Sequence, residues 1–210
     1  MPYDALLFDL DGTLIDTETV ALRTGMEAFA ALGHPVDLAF MQRLVGVDIP
    51  TSARIIGTAL PLLDQGRLQA RWHSAFVAAI DQDLPLKPGA LDLLSARHRP
   101  MALVTSSGRD EAHRKLNRTG LAGFFDTIVT LADVTAPKPA PQPYLLAAER
   151  LGVAPDRCLA FEDSETGAEA AHRAGCTVVQ VPDVGHASGR WAHHLATDLL
   201  QGARLAGLPA

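Results

Sequence analysis

Cysteine is nearly absent from the 210 residues: only Cys158 and Cys176 occur, at no metal-ligand spacing. That excludes a disulfide framework and a zinc-type cysteine site, and it fits two buried thiols in a reducing, cytoplasmic setting. Aromatic residues make up 5% of the chain, too few for a stacking platform for single-stranded nucleic acid. Positive charge is outweighed, with 18 Lys and Arg against 24 Asp and Glu and a net charge of −6. This balance argues against nucleic acid and anionic membrane surfaces as partners. No apolar run approaches a membrane-spanning length. The start, Met1-Pro2-Tyr3-Asp4, lacks the basic region of a secretory signal. What remains, 48% apolar and 20% charged, suits a globular domain with a substantial core. The length allows one large domain, or one domain carrying an insertion.

Segment order points to the insertion. Ala5–Asp9 reads as a short buried strand, yet no convincing strand follows until after Asp83. The intervening stretch predicts helices over Thr17–Leu32, Leu38–Leu44, Thr51–Leu60 and Asp64–Ile80, with Thr17 as an N-cap. In the last of these Leu68, Trp72, Phe76 and Ile80 recur every fourth residue, the spacing of a core-facing stripe. Hinge-like zones at Leu14–Asp16 and Leu84–Pro88 bracket this all-α block. After Pro88-Gly89 the pattern changes. Helices are predicted over Ala90–Arg97, Asp110–Arg118, Gln142–Leu151 and Glu165–Ala174. They alternate with apolar runs Met101–Val104, Thr127–Leu131, Cys158–Phe161 and Thr177–Val181, and one more helix is predicted from Ala187 onward. Strands that are apolar on both faces and alternate with helices make a parallel sheet covered on each side. The expectation is an α/β chain: a Rossmann-like parallel sheet core of residues 1–16 plus 85–210, and an inserted α-helical unit of residues 17–84.

The chemistry-bearing residues follow the apolar runs. Asp9 and Asp11, in Phe8-Asp9-Leu10-Asp11-Gly12-Thr13, follow the first strand at a spacing that puts both carboxylates on one face of an extended chain. Thr105-Ser106-Ser107-Gly108 follows the second and Glu162-Asp163-Ser164 a later one. In an open parallel sheet the strand ends share one edge, where ligands bind. Lys138 stands in Ala136-Pro137-Lys138-Pro139, on a loop stiffened by proline. Carboxylates gathered at one edge repel, and a lysine and a divalent cation are their natural counter-charges. Mg²⁺ suits an all-oxygen site and commonly bridges to phosphate. Thr105, Ser106, Asp163 and Glu162 each have a bland reading as caps or turn residues. It is their joint order that sets those readings aside.

That ordered set resembles the haloacid dehalogenase-like hydrolase superfamily over nearly the whole chain. The helical block resembles the cap of its branch containing β-phosphoglucomutase and phosphoglycolate phosphatase. The resemblance implies Asp9 as nucleophile and Asp11 as acid and base. It implies Thr105, Ser106 and Lys138 as phosphate ligands, and Asp9, Asp11, Asp163 and Glu162 around Mg²⁺. Substrate selection then falls to the cap, with Glu18, Gly46, Asp48 and Arg54 as candidates. Pro137 before the lysine and Gln142 near a usual Asp depart from the family pattern. Mutases of the branch carry a cap His and a cap Lys. The stretch Glu18–Arg23 has no His, and Phe76 falls where the lysine belongs. A phosphatase acting on a small phosphorylated metabolite, as a monomer or small homo-oligomer, is therefore expected ahead of a phosphomutase. A signalling receiver places its acidic pair and its phosphorylated Asp in the opposite order. The adjacent pair His193-His194, if helical, points two ways and makes a poor chelate.

Overall fold

The computed structural model describes residues 3–45, 49–96, 99–183 and 187–208. The chain divides into two compact units, Met1–Asp16 with Pro85–Ala210, and Thr17–Leu84.

The first unit opens with β1 (Ala5–Phe8). The second unit is all-helical among its described residues: α1 (Thr17–Ala31), α2 (Leu38–Gln42), α3 (Ile49–Ala59) and α4 (Gln65–Gln82). Thr17 is the first residue of α1 rather than its cap, whereas Asp64 caps α4 by accepting the Arg67 N–H. Helices α1 and α4 pack around Phe29, which meets Phe40 and Trp72 at ring-centroid distances of 5.7 and 6.2 Å. Trp72 Nε1 donates to the Ala21 carbonyl at 3.0 Å. The predicted stripe on α4 is only half realised. Leu68 and Ile80 are buried, but Trp72 and Phe76 are half-exposed and line a cavity of about 730 Å³ with Ala21 and Ile56.

The first unit resumes with α5 (Ala90–Ser95), β2 (Met101–Val104), α6 (Arg109–Thr119) and β3 (Thr127–Val129). It continues through α7 (Gln142–Leu151), β4 (Cys158–Glu162), α8 (Glu165–Arg173), β5 (Thr177–Gln180), β6 (His194–Leu195) and α9 (Leu199–Leu205). All six strands are parallel, in the order β3-β2-β1-β4-β5-β6. Every residue of β1, β2 and β4 is buried, as strands covered on both faces require. Phe8 stacks on Phe161 across the β1–β4 pair at 5.0 Å. Cys158 and Cys176 are both buried and unbridged. Among the described residues no helix is long and apolar enough to cross a membrane.

The tail departs from the single helix expected of it. His193 N–H donates to the Val178 carbonyl at 2.9 Å, and its Nδ1 accepts the Val178 N–H at 3.0 Å. Pairing along the open edge of β5 thus outcompetes helix propensity, and α9 begins only after its cap, Asp198. The His193–His194 pair lies at this strand, not on a helix, and His193 stacks on His172 instead.

Candidate active site

The strand order 3-2-1-4-5 reverses direction at β1, so the crevice at the carboxyl ends of β1, β2 and β4 is the switch point of the sheet. β1 stops at Phe8, and Asp9 is held just beyond it by its N–H to the Phe161 carbonyl at 3.0 Å. The chain then turns. Leu14 and Ile15 N–H both donate to the Leu10 carbonyl, and Gly12 takes φ +82°, the left-handed region that favours glycine. A Cβ on Gly12 would lie 2.3 Å from Asp163 Oδ2, so this position is closed to side chains twice over. Because the strand ends at Phe8, Asp9 and Asp11 do not share a strand face, and they go to different partners.

Asp9, 6% exposed, meets Lys138, Glu162 and Asp163. Lys138 Nζ donates to Asp9 Oδ1 at 2.7 Å, Glu162 Oε1 at 2.6 Å and the Val104 carbonyl at 2.8 Å, so all three of its hydrogens are committed. Its loop carries a cis Lys138–Pro139 bond. Gln142 Oε1 fastens this loop by accepting the Thr135 and Ala136 N–H groups. The neutral amide thereby does what an Asp near this position can do. Glu162 is fully buried. Its Oε1 also accepts the Tyr144 hydroxyl at 2.5 Å, and its Oε2 accepts Ser164 Oγ at 3.3 Å. One carboxylate oxygen from each of Asp9, Glu162 and Asp163 lies within 4.8 Å of the other two.

Three carboxylates gather beside a single ammonium, which bonds two of them, Asp9 and Glu162, while Asp163 is half-buried. Burial pushes the Asp9 carboxyl up to about 7, against the pull of Lys138. Burial, then Asp9 and Glu162, raise Asp163 as well. Burial alone would lower Lys138, but Asp9 and Glu162 outweigh it and hold the lysine above its ordinary range. The cluster is short of positive charge, and its donors are all oxygen. A hard divalent cation such as Mg²⁺ fits both conditions.

Asp11 turns to α6. Lys115 Nζ donates to its Oδ1 at 2.8 Å, and Ser107 Oγ to its Oδ2 at 2.9 Å. Lys115, 3% exposed, also pairs with Glu111 at 2.6 Å. Thr105 is buried, and its Oγ1 accepts the Ser107 N–H at 3.0 Å, which leaves the hydroxyl proton free to donate. Ser106 is exposed on the same loop. In the helical unit Glu18 sits half-buried in the first turn of α1, and Arg54 is exposed on α3. Gly46 and Asp48 lie outside the described residues.

Sequence reasoning missed Ser107, Lys115 and Tyr144. Lys115 left a signal: it falls on the buried face of α6 with Ala112 and Leu116, a stripe from which a lysine is normally absent. Gly167 carries a testable consequence. A Cβ there would lie 2.0 Å from the Glu162 carboxylate. Gly167→Ala is expected to displace Glu162 from Lys138 and Tyr144 and to cost about 1–3 kcal/mol. The check is a lower urea midpoint at unchanged slope.

With this geometry in place, comparison with known proteins identifies the family. The family model for haloacid dehalogenase-like hydrolases matches residues 3–175. A phosphorylated carbohydrates phosphatase of Thermotoga maritima is 34% identical over 176 residues, 82% of each chain. Fructose-1-phosphate phosphatase YqaB of Escherichia coli is 35% identical over 185 residues, 85% of this chain and 96% of its own. The crystal structure of a hydrolase of this family from Deinococcus radiodurans, with bound phosphate and sodium, superposes with a TM-score of 0.82. It is 28% identical and covers 97% of this chain and 93% of its own. The chain belongs to the haloacid dehalogenase-like hydrolases, and the enzyme class it shares with these phosphatases is that of phosphoric monoester hydrolases.

Proposed function

We propose that the chain is a Mg²⁺-dependent phosphatase that hydrolyses a small phosphate monoester, of the phosphosugar type, through an aspartyl-phosphate on Asp9. The observation that carries this reading is the cluster of Asp9, Glu162 and the half-buried Asp163, with Lys138 paired to the first two, at the carboxyl edge of the sheet and short of positive charge. Asp9, Asp163 and the Asp11 carbonyl would hold the cation, which supplies the charge that lets an anionic nucleophile approach an anionic phosphate.

A carboxylate oxygen of Asp9 attacks phosphorus, and the bond from phosphorus to the ester oxygen breaks. Asp11 donates a proton to that departing oxygen, then takes one from the water that hydrolyses the intermediate. Asp11 is suited to move between these tasks, because its side chain is 31% exposed and Lys115 keeps Glu111 as a second partner. The Thr105 hydroxyl and the Ser106 N–H bind transferring phosphoryl oxygens. Lys138 contributes charge, and Glu162 and Tyr144 hold it in place. The names of the two curated relatives, both sugar-phosphate phosphatases, support the substrate class, as does the phosphate in the Deinococcus radiodurans structure. A phosphomutase is not favoured: Phe76, where a mutase lysine belongs, lines the helical unit's own cavity.

The test is a screen of phosphate esters with Mg²⁺ and with a chelator. Phosphate release that requires Mg²⁺ and leaves the dephosphorylated sugar as sole product is expected. Metal-independent release, or an isomerised sugar phosphate, contradicts the reading.

A further inference from the structure

One buried carboxylate near this site has no task in the chemistry above. Asp183 follows β5 by three residues, and its side chain is 9% exposed. Its Oδ1 accepts Lys87 Nζ at 2.7 Å. Its Oδ2 is buried and has no hydrogen-bond partner among the described residues. The ion pair accounts for one oxygen and leaves the other unexplained, although a buried acceptor left unmatched is costly.

The unmatched oxygen points at the nucleophile turn. A Cβ built on Gly12 would have Asp163 Oδ2 at 2.3 Å and Asp183 Oδ2 at 3.4 Å, so both oxygens border the same bare face of that glycine. Asp183 Oδ2 is thus a neighbour of Asp163 Oδ2, one of the carboxylates of the cluster. Magnesium gives up its water reluctantly and usually keeps several molecules of it. Those waters need acceptors, and partners in this outer layer tune metal affinity.

We propose that Asp183 is a positioning residue of the cation site: its Oδ2 accepts a hydrogen bond from hydration water of the Mg²⁺ held by Asp9 and Asp163, while Lys87 fixes its Oδ1. This rests on the Mg²⁺ reading given above. Lys87 lies just inside the return of the chain from residue 84, where its N–H donates to the Leu14 carbonyl. Its ammonium anchors Asp183 to the backbone that follows the nucleophile loop.

The competing account is a plain structural ion pair, and two variants separate them. Asp183→Asn keeps an oxygen for Lys87 but turns an N–H₂ donor toward the cation site. Lys87→Met keeps the acceptor and removes only its anchor. Mg²⁺ is titrated into substrate-free protein by calorimetry, with circular dichroism to confirm folding and Asp9→Asn as control. Asp183→Asn is expected to weaken Mg²⁺ binding about tenfold or more, and Lys87→Met, which loosens the anchor but leaves the acceptor in place, to weaken it clearly less. Wild-type affinity in Asp183→Asn, or equal weakening in both variants, overturns the proposal. If Asp9→Asn abolishes binding but Asp183→Asn does not weaken it, this inference alone falls. If the wild type takes up no Mg²⁺ and Asp9→Asn changes nothing, the proposed cation site falls and this inference with it.

Discussion

Asp9→Asn is expected to reduce phosphate release by about 10³-fold or more, because the amide is no nucleophile and the covalent step has no substitute. The loss should appear in kcat at saturating ester, with the fold intact. The same substitution has a pH signature in metal-free protein. In the folded chain burial raises the Asp9 carboxyl from 3.8 to about 7. A carboxyl raised on folding is most stabilising when protonated, so its contribution is lost as pH climbs from about 4 to about 7. Asparagine has no proton to lose. The melting temperature of Asp9→Asn relative to wild type should therefore rise through that window and level off above it. A flat difference across the window would show that Asp9 is not buried as described. Substantial activity in the variant would remove Asp9 from the nucleophile role.

Lys138→Met is expected to unfold the protein more easily than any other single change at the site. Lys138 is 5% exposed, and both of its carboxylate partners, Asp9 and Glu162, are buried. Removing the cation leaves those two charges unmatched, a change that typically costs about 3–5 kcal/mol. For a chain of this size that lowers the melting temperature by about 6–20 °C. Mg²⁺ should restore part of the loss, since it returns positive charge to the same cluster. A melting temperature unchanged from wild type, with or without Mg²⁺, would contradict the charge balance drawn here.

Much of the fold is legible because its strands are short apolar runs bounded by turn residues. Met101–Val104 and Thr177–Gln180 each follow a helix, the alternation that parallel neighbours joined by helical crossovers produce. The helical stretch between β1 and α5 is legible from its lack of any strand pattern. The tail is not, because the hydrogen bonds of His193 to Val178 depend on an open sheet edge that no local window reveals. Phe76 fails in the same way: spacing assigns it to a stripe, but only the packing of α1, α3 and α4 decides that it faces a cavity. At the site, strand ends announce themselves, and Asp9, Thr105, Glu162 and Asp163 all directly follow or close strands. The partners that hold these residues do not. Lys115 reaches Asp11 across more than a hundred residues, and Tyr144 on α7 looks like an ordinary core aromatic until its hydroxyl is seen on Glu162. Asp183 carries no local pattern at all.

The most direct test of the covalent role given to Asp9 is mass spectrometry of protein quenched during turnover of a phosphate ester with Mg²⁺. One phosphoryl group on the peptide that contains Asp9, absent from Asp9→Asn, is the predicted result. Turnover during which the protein is never phosphorylated, or a phosphoryl group found on another residue, would contradict it.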